Sequence, residues 1–223
     1  MQLDRILPHL IAAGLIILIS FPVHEFAHAW TAWRLGDSTA RLFGRLTLNP
    51  IVHFDPVGGI LLVLSSLVGF GVGWAKPTPV NPNNLRGGRW SEAVVAAAGP
   101  LSNLVIASIA AGILRIMITL GQSGTVLPDQ AYQVVLDVVV INIALLLFNF
   151  IPVPPLDGSK VLYGFLSPRQ QYQWRPVLEQ YGFLLLIVVA FLPILPGGTT
   201  LFQTVFERIG GPLINFLVGI EVM

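Results

Sequence analysis

Formal charge is absent from five long stretches of this 223-residue chain, and that absence limits its folding options more than any other feature. Residues 6–23, 56–75, 93–114, 138–156 and 180–206 contain no Asp, Glu, Lys or Arg. A helix needs about 20 apolar residues to cross roughly 30 Å of hydrocarbon, and all five stretches approach or reach that length. Charge is scarce elsewhere too. Charged residues make up 10% of the chain, where soluble domains carry roughly 25%. Eleven acidic and twelve basic side chains cannot cover a soluble domain of this size. The expected fold class is an all-α polytopic membrane protein. An ordinary soluble domain, a disordered chain and a collagen-like fibre are excluded. The net charge of +1 argues against a nucleic-acid partner, which requires a basic surface. Cysteine is absent, which excludes disulfides, thiolate metal sites and a thiol nucleophile.

The stretches differ in character. The first runs directly into HEFAHAWTAW without a small-residue cleavage site, so a retained helix is expected over about 7–34. The second, around GGILLVLSSLVGFGVGW, is rich in glycine and serine, which weakens a straight helix. The third opens at Ser91-Glu92, places an acidic residue in its first turn and extends to about residue 120. Pro100 interrupts its backbone ladder and should kink it. The fourth begins near Asp129 and ends in FIPVPPLDG, where the prolines force extended backbone. The fifth runs over about 180–195. The last segment, 200–222, carries Glu207-Arg208 and Gly210-Gly211-Pro212 at its middle, and either spans or lies in the interface. The sum is a bundle of about five to six transmembrane helices, treated as a single domain over 1–223 with C-terminal helices over 178–223. Leu42, Leu46 and Leu48 alternate with polar or small neighbours, which predicts short strands in a membrane-associated β-hairpin. AKPTPVNPNNLRGGRW predicts an extended, proline-punctuated loop.

His24-Glu25-Phe26-Ala27-His28 is an HExxH motif. Residues i and i+4 share a helix face, so both imidazoles can reach one metal ion. The neighbouring Glu25 can hold the metal-bound water and take its proton. The bland alternative is a pair of hydrogen-bonded histidines inside a bundle. It is weak here, because ionisable groups at the end of an apolar span are expensive and usually functional. A catalytic zinc takes three protein ligands and one open position. His9 lies up the same helix, about 22 Å away at 1.5 Å per residue, and cannot contribute; the lipid interface is its expected place. The remaining candidates are His53, Asp55 and Asp157. Asp157 on its own would read as a turn residue before Gly158, or as an N-cap for a following helix.

HEFAH at the end of a span, AAAGPLSN on the next long helix and NFIPVPPLDG closing another together resemble the site-2 protease family of intramembrane zinc metalloproteases. The three motifs occur in the family's order over about residues 20–160, and the catalytic core is expected over about 7–160. The resemblance implies one zinc ion per chain, with His24, His28 and Asp157 as its ligands and Glu25 as the general base. It also implies that Asn149 steadies the oxyanion. The family cleaves transmembrane segments, so the implied partners are single-span membrane proteins within a lipid bilayer. No stretch is long enough for a PDZ-type domain. LNPIVHFDPVGG and AKPTPVNPNNLR resemble a compact bacterial-type subgroup, which implies a bacterial or archaeal cell membrane. In that subgroup His53 and Asp55 belong to the active-site surround, although a capped turn before Pro56 explains them better.

Topology supplies a separate expectation. HEFAH and Asp157 each follow the C-terminal end of a span, and to share an ion they must lie at one membrane depth. That holds if residues 56–74 enter the bilayer and return, and fails if they cross. With re-entry, Arg34, Arg41, Arg45, Lys76, Arg86, Arg89, Lys160, Arg169 and Arg175 share one side, which the positive-inside rule makes cytoplasmic. Two other functions compete. A divalent-metal transporter would need a continuous polar path, for which only Asn103, Asp137 and Asn142 are available. A catalytically silent membrane binding protein would have no need of an intact HExxH.

Overall fold

The computed structural model of the chain describes residues 2–67 and 73–221. The first helix begins as α1 (Gln2–Leu15), passes through a π-helical turn at Ile16–Ser20 and continues as α2 (Phe21–Arg34). The wide turn has a local cause. Pro22 has no N–H and its ring crowds the carbonyl one turn back, so the backbone loosens just before the histidines. Two single-turn helices follow, α3 (Thr39–Leu42) and α4 (Pro50–His53), then α5 (Pro56–Ser66). The longest helix is α6 (Arg89–Gln122), which continues through Pro100. After it come α7 (Asp129–Asn149), α8 (Asp157–Phe165) and α9 (Pro168–Phe191). The last helix is α10 (Leu201–Val205), a second π turn at Phe206–Gly210, and α11 (Gly211–Val218). Here again a proline, Pro212, follows the loosened turn.

Helix α6 is the centre of the bundle, packing on α2, α7 and α8, while α1 packs on α7. Its contact face is built from small residues. Ala107, Ala110 and Ala111 meet Val139, Ile143 and Leu146 of α7, with Ile214 and Val218 of α11 completing the cluster. A second cluster joins Ala13, Ile16, Phe21, Leu62 and Leu145. Small residues are the expected solution in lipid, where association depends on close van der Waals contact rather than on removing apolar surface from water. Helix α9 is different. Only Gly182 and Leu186 are buried on it, and Gly182 rests against Pro154, where an added Cβ would stand 2.6 Å from the Pro154 carbonyl oxygen.

The structure corrects the expected fold class in three respects. Four helices among the described residues are long and apolar enough to span a membrane, over Ile6–Arg34, Arg89–Gln122, Asp129–Asn149 and Pro168–Phe191, rather than five to six. The final helix is interrupted at its π turn beside Glu207 and Arg208. The predicted β-hairpin is absent: residues 39–42 form one helical turn, no strand occurs among the described residues, and their isolated bridge joins Leu195 to Thr199. Alternation over so short a stretch gave way because no second strand lies alongside to pair with it. The expected re-entrant segment over 56–74 includes residues 68–72, which lie outside the described residues, and the described part does not establish it. Helix α5, with 11 residues, spans about 16 Å. The chain that follows lies back against it. Gly58 meets the Trp74 carbonyl so closely that no side chain fits, and Lys76 N–H donates to the His53 carbonyl at 2.8 Å.

Asp37 ties the loops around the end of α2 together. Its buried carboxylate accepts from Thr39 N–H (3.0 Å), Asn81 N–H (2.7 Å) and the Asn84 side-chain amide (3.0 Å). Burial alone would raise its pKa, but the bonds from Thr39, Asn84 and Asn81 outweigh burial and hold it below the usual value. The Asp37 contribution is therefore complete above the unfolded value near 3.9 and is lost as pH falls through the lowered folded value. Replacing Asp37 with Ala removes these bonds to a charged acceptor and should cost about 1–3 kcal/mol at pH 7. Thermal melts of both proteins should show the difference shrinking below about pH 4.

Candidate metal centre

Two remote parts of the chain converge beside α6, the HEFAH turn of α2 and the start of α8. His24 and His28 project from one face of α2, as their spacing requires. Their Nε2 atoms are 3.0 Å apart. Asp157 is the first residue of α8, and its Oδ2 lies 3.1 Å from His28 Nε2 and 3.3 Å from His24 Nε2. The side chain of Asp157 makes no cap on α8; it faces the histidines instead. Gly158 allows this, because any side chain there would strike the carbonyls of Phe150 and Ile151 at the end of α7. Burial alone would raise the Asp157 carboxyl, but the imidazoles of His28 and His24 overcome it and hold the group well below the usual carboxylate range.

The donor set suits zinc. A tetrahedral zinc with bonds of about 2.0–2.1 Å spaces its ligand atoms by roughly 3.3 Å, close to the triangle found here. His28 Nδ1–H donates to the Val95 carbonyl at 2.7 Å, which leaves the lone pair on Nε2, facing the other ligand atoms. Gly99 keeps the space beside these nitrogens open. A Cβ there would collide with His28 Nε2 and stand 2.6 Å from His24 Nε2. No other cluster of three or more potential ligands is found among the described residues.

Glu25 is buried beside the histidines. Its Oε2 accepts from Thr78 N–H at 2.6 Å, and the Thr78 hydroxyl donates to the Glu25 carbonyl at 3.1 Å. The extended segment around residues 75–80 thus passes directly over the glutamate. Asn149 ends α7, and its amide donates to the Leu145 carbonyl of its own helix at 2.9 Å rather than to any group of the cluster. His53 and Asp55 lie apart from it. His53 Nε2–H donates to the Thr47 carbonyl at 2.8 Å, and Asp55 caps α5 through Val57 N–H and Gly58 N–H. His9 is paired with Asp137 at 2.6 Å.

With this geometry in hand, the comparisons are direct. The sequence profile of Peptidase family M50 matches residues 12–136. The chain belongs to that family. It is 37% identical over 194 residues to "Putative zinc metalloprotease YwhC" of Bacillus subtilis, covering 85% of this chain and 83% of that protein. It is 31% identical over 182 residues to "Putative zinc metalloprotease Rip2" of Mycolicibacterium smegmatis, covering 80% of this chain and 66% of the relative. The protein of the same name in Mycobacterium tuberculosis is 30% identical over 186 residues, again with 66% of its length covered. No solved structure matches the chain significantly. This M50 peptidase is an integral membrane zinc metalloprotease of the site-2 type.

Thr78, Gly99 and Asn103 were not assigned to the site from the sequence. Val95, Gly99 and Asn103 recur every four residues on α6, the signal that they share one face toward α2. Thr78 sits in extended backbone and carries no such periodicity. Replacing Gly99 with Ala should fill the space the nitrogens border. Elemental analysis of the purified variant should find zinc far below one per chain, in protein that elutes as the wild type does.

Proposed function

We propose that this M50 peptidase hydrolyses peptide bonds within transmembrane segments of single-span membrane proteins, using His24, His28 and Asp157 as zinc ligands and Glu25 as general base. The observation that carries the reading is the convergence of these three donors beside a buried glutamate at the end of an apolar helix. Bound zinc supplies Lewis-acid polarisation of the substrate carbonyl and a water acidified to a pKa of about 7. Glu25 would take up a proton from water as its oxygen adds to the substrate carbonyl carbon, and would give it to the amine as the C–N bond breaks. Thr78 engages Glu25 Oε2, which orients the carboxylate and leaves Oε1 for the proton. Asn149 is assigned to the oxyanion. Its amide must exchange the Leu145 carbonyl for the substrate to do so. The substrate helix must unwind locally, because a helical amide is already hydrogen-bonded within its own helix.

A transporter is disfavoured by how the polar groups of the spans are used. Asp137 is held by His9 and by the Gln133 amide, and Asn142 donates to the Val138 carbonyl of its own helix. The Gln133 and Asn142 bonds lie within α7 and the His9 bond joins α7 to α1; none of them is made to His24, His28 or Asp157. The same reading places the site toward the cytoplasm of a bacterial or archaeal cell membrane. On this reading α5 enters the bilayer without crossing it, and the contact of Lys76 with His53 supports a return of the chain to the same side.

Glu25→Gln should lower the cleavage rate of a reconstituted single-span substrate by about 10²–10⁴-fold, with zinc content unchanged, because the glutamate moves protons and is not a ligand. Near wild-type cleavage would sink the assignment of the base. Single cysteines at Ser38, Gly87 and Gln170 of this cysteine-free chain should all label from the same, cytoplasmic side of sealed vesicles. Labelling of Ser38 and Gly87 from opposite sides would rule out the proposed topology.

A further inference from the structure

The two histidines are not held alike. His28 Nδ1 faces a backbone carbonyl, that of Val95, which can only accept. His24 Nδ1 faces a side chain, with Asn103 Nδ2 at 3.3 Å. Asn103 lies two turns further along α6, and it is 1% exposed, inside the apolar bundle. Its Oδ1 is buried and has no hydrogen-bond partner among the described residues.

An amide has two orientations of almost the same shape and opposite chemistry. With Nδ2 toward His24, the ring must accept at Nδ1. Its proton then sits on Nε2, pointing at Asp157, and that nitrogen has no lone pair for a metal. Asn103 Oδ1 is left stranded, at the cost that any buried, unpaired acceptor carries. With Oδ1 toward His24, Nδ1–H donates to it and Nε2 presents its lone pair beside His28 and Asp157. The ring nitrogen that must face the ion therefore decides which way the amide points.

We propose that Asn103 is the positioning residue that selects the zinc-binding tautomer of His24, by accepting its Nδ1–H through Oδ1. This inference rests on the reading of His24, His28 and Asp157 as the zinc ligands. Val95, Gly99 and Asn103 then act as one stripe of α6, which orients His28, leaves room for the ion and orients His24. Carboxamide or carboxylate acceptors behind a ligating histidine commonly contribute about 10–100-fold to metal affinity.

The test uses the full-length protein in detergent, with zinc itself as the probe and a chromophoric chelator as competitor. Asn103→Leu keeps the volume and removes the acceptor, and should weaken zinc binding by about 10–100-fold. Asn103→Asp keeps an acceptor and should bind zinc at least as tightly as the wild type. A residue that merely fills space predicts the reverse order, since leucine suits an apolar bundle and a buried carboxylate does not. Wild-type affinity in Asn103→Leu, or equal weakening in both variants, would overturn the proposal. Should Asn103→Leu fail to fold, Asn103→Ala takes its place under the same criteria. His24→Ala serves as the reference. If it too binds zinc at wild-type strength, the metal site itself is misassigned. If it loses zinc while the leucine and alanine variants keep it, only the role of Asn103 falls.

Discussion

The close approach of α6 to α2 at Gly99 is the contact on which the rest of this structure depends. Gly99 has no side chain, and the space it leaves is bordered by both imidazole Nε2 atoms. That approach sets Val95 against one ring and Asn103 against the other. Because α6 also packs on α7 and α8, the same helix holds the segment that delivers Asp157. A carboxylate and two imidazoles taken out of water need one another or an ion, and apolar surroundings make any misplacement costly.

Polar groups inside the remaining spans are treated in the same way. His9 and Asp137 pair across α1 and α7, with Gln133 adding a bond to the same carboxylate. Asn142 and Asn149 donate to carbonyls of their own helix, so neither amide's donor is left facing lipid. Small residues bring the helices close enough for such bonds to close. On this scaffold Glu25 is held from outside the bundle. Thr78 reaches Glu25 from an extended segment, so the orientation of the carboxylate depends on a loop rather than on a helix.

Much of the candidate metal centre was legible in the sequence because its spacing is local. His24 and His28 are four residues apart on a helix whose apolar length was evident, and the boundaries expected for α6 and α7 fall within a few residues of those found. Composition could not settle how many stretches become spans. Residues 56–66 stop after 11 helical residues, and the uncharged run 180–206 is divided between α9 and the interrupted final helix. The β-hairpin expectation over 41–48 failed because alternation marks a strand only when a partner lies beside it, and here the chain is engaged by the ends of α2 and α4 instead.

Helical periodicity and hydropathy encode a membrane-embedded helical chain, an HExxH face, and an aspartate just beyond a proline-broken span. These follow from interactions within one turn or one span. The tertiary structure alone decided the rest. It placed Asp157 against both histidines and used His53 and Asp55 in a local hydrogen bond and a helix cap. It brought Thr78 to Glu25 and Asn103 to His24, across separations of 53 and 79 residues. No local rule carries such pairings, because they depend on the angle and depth at which α6 crosses α2, and that is settled by packing across the whole bundle.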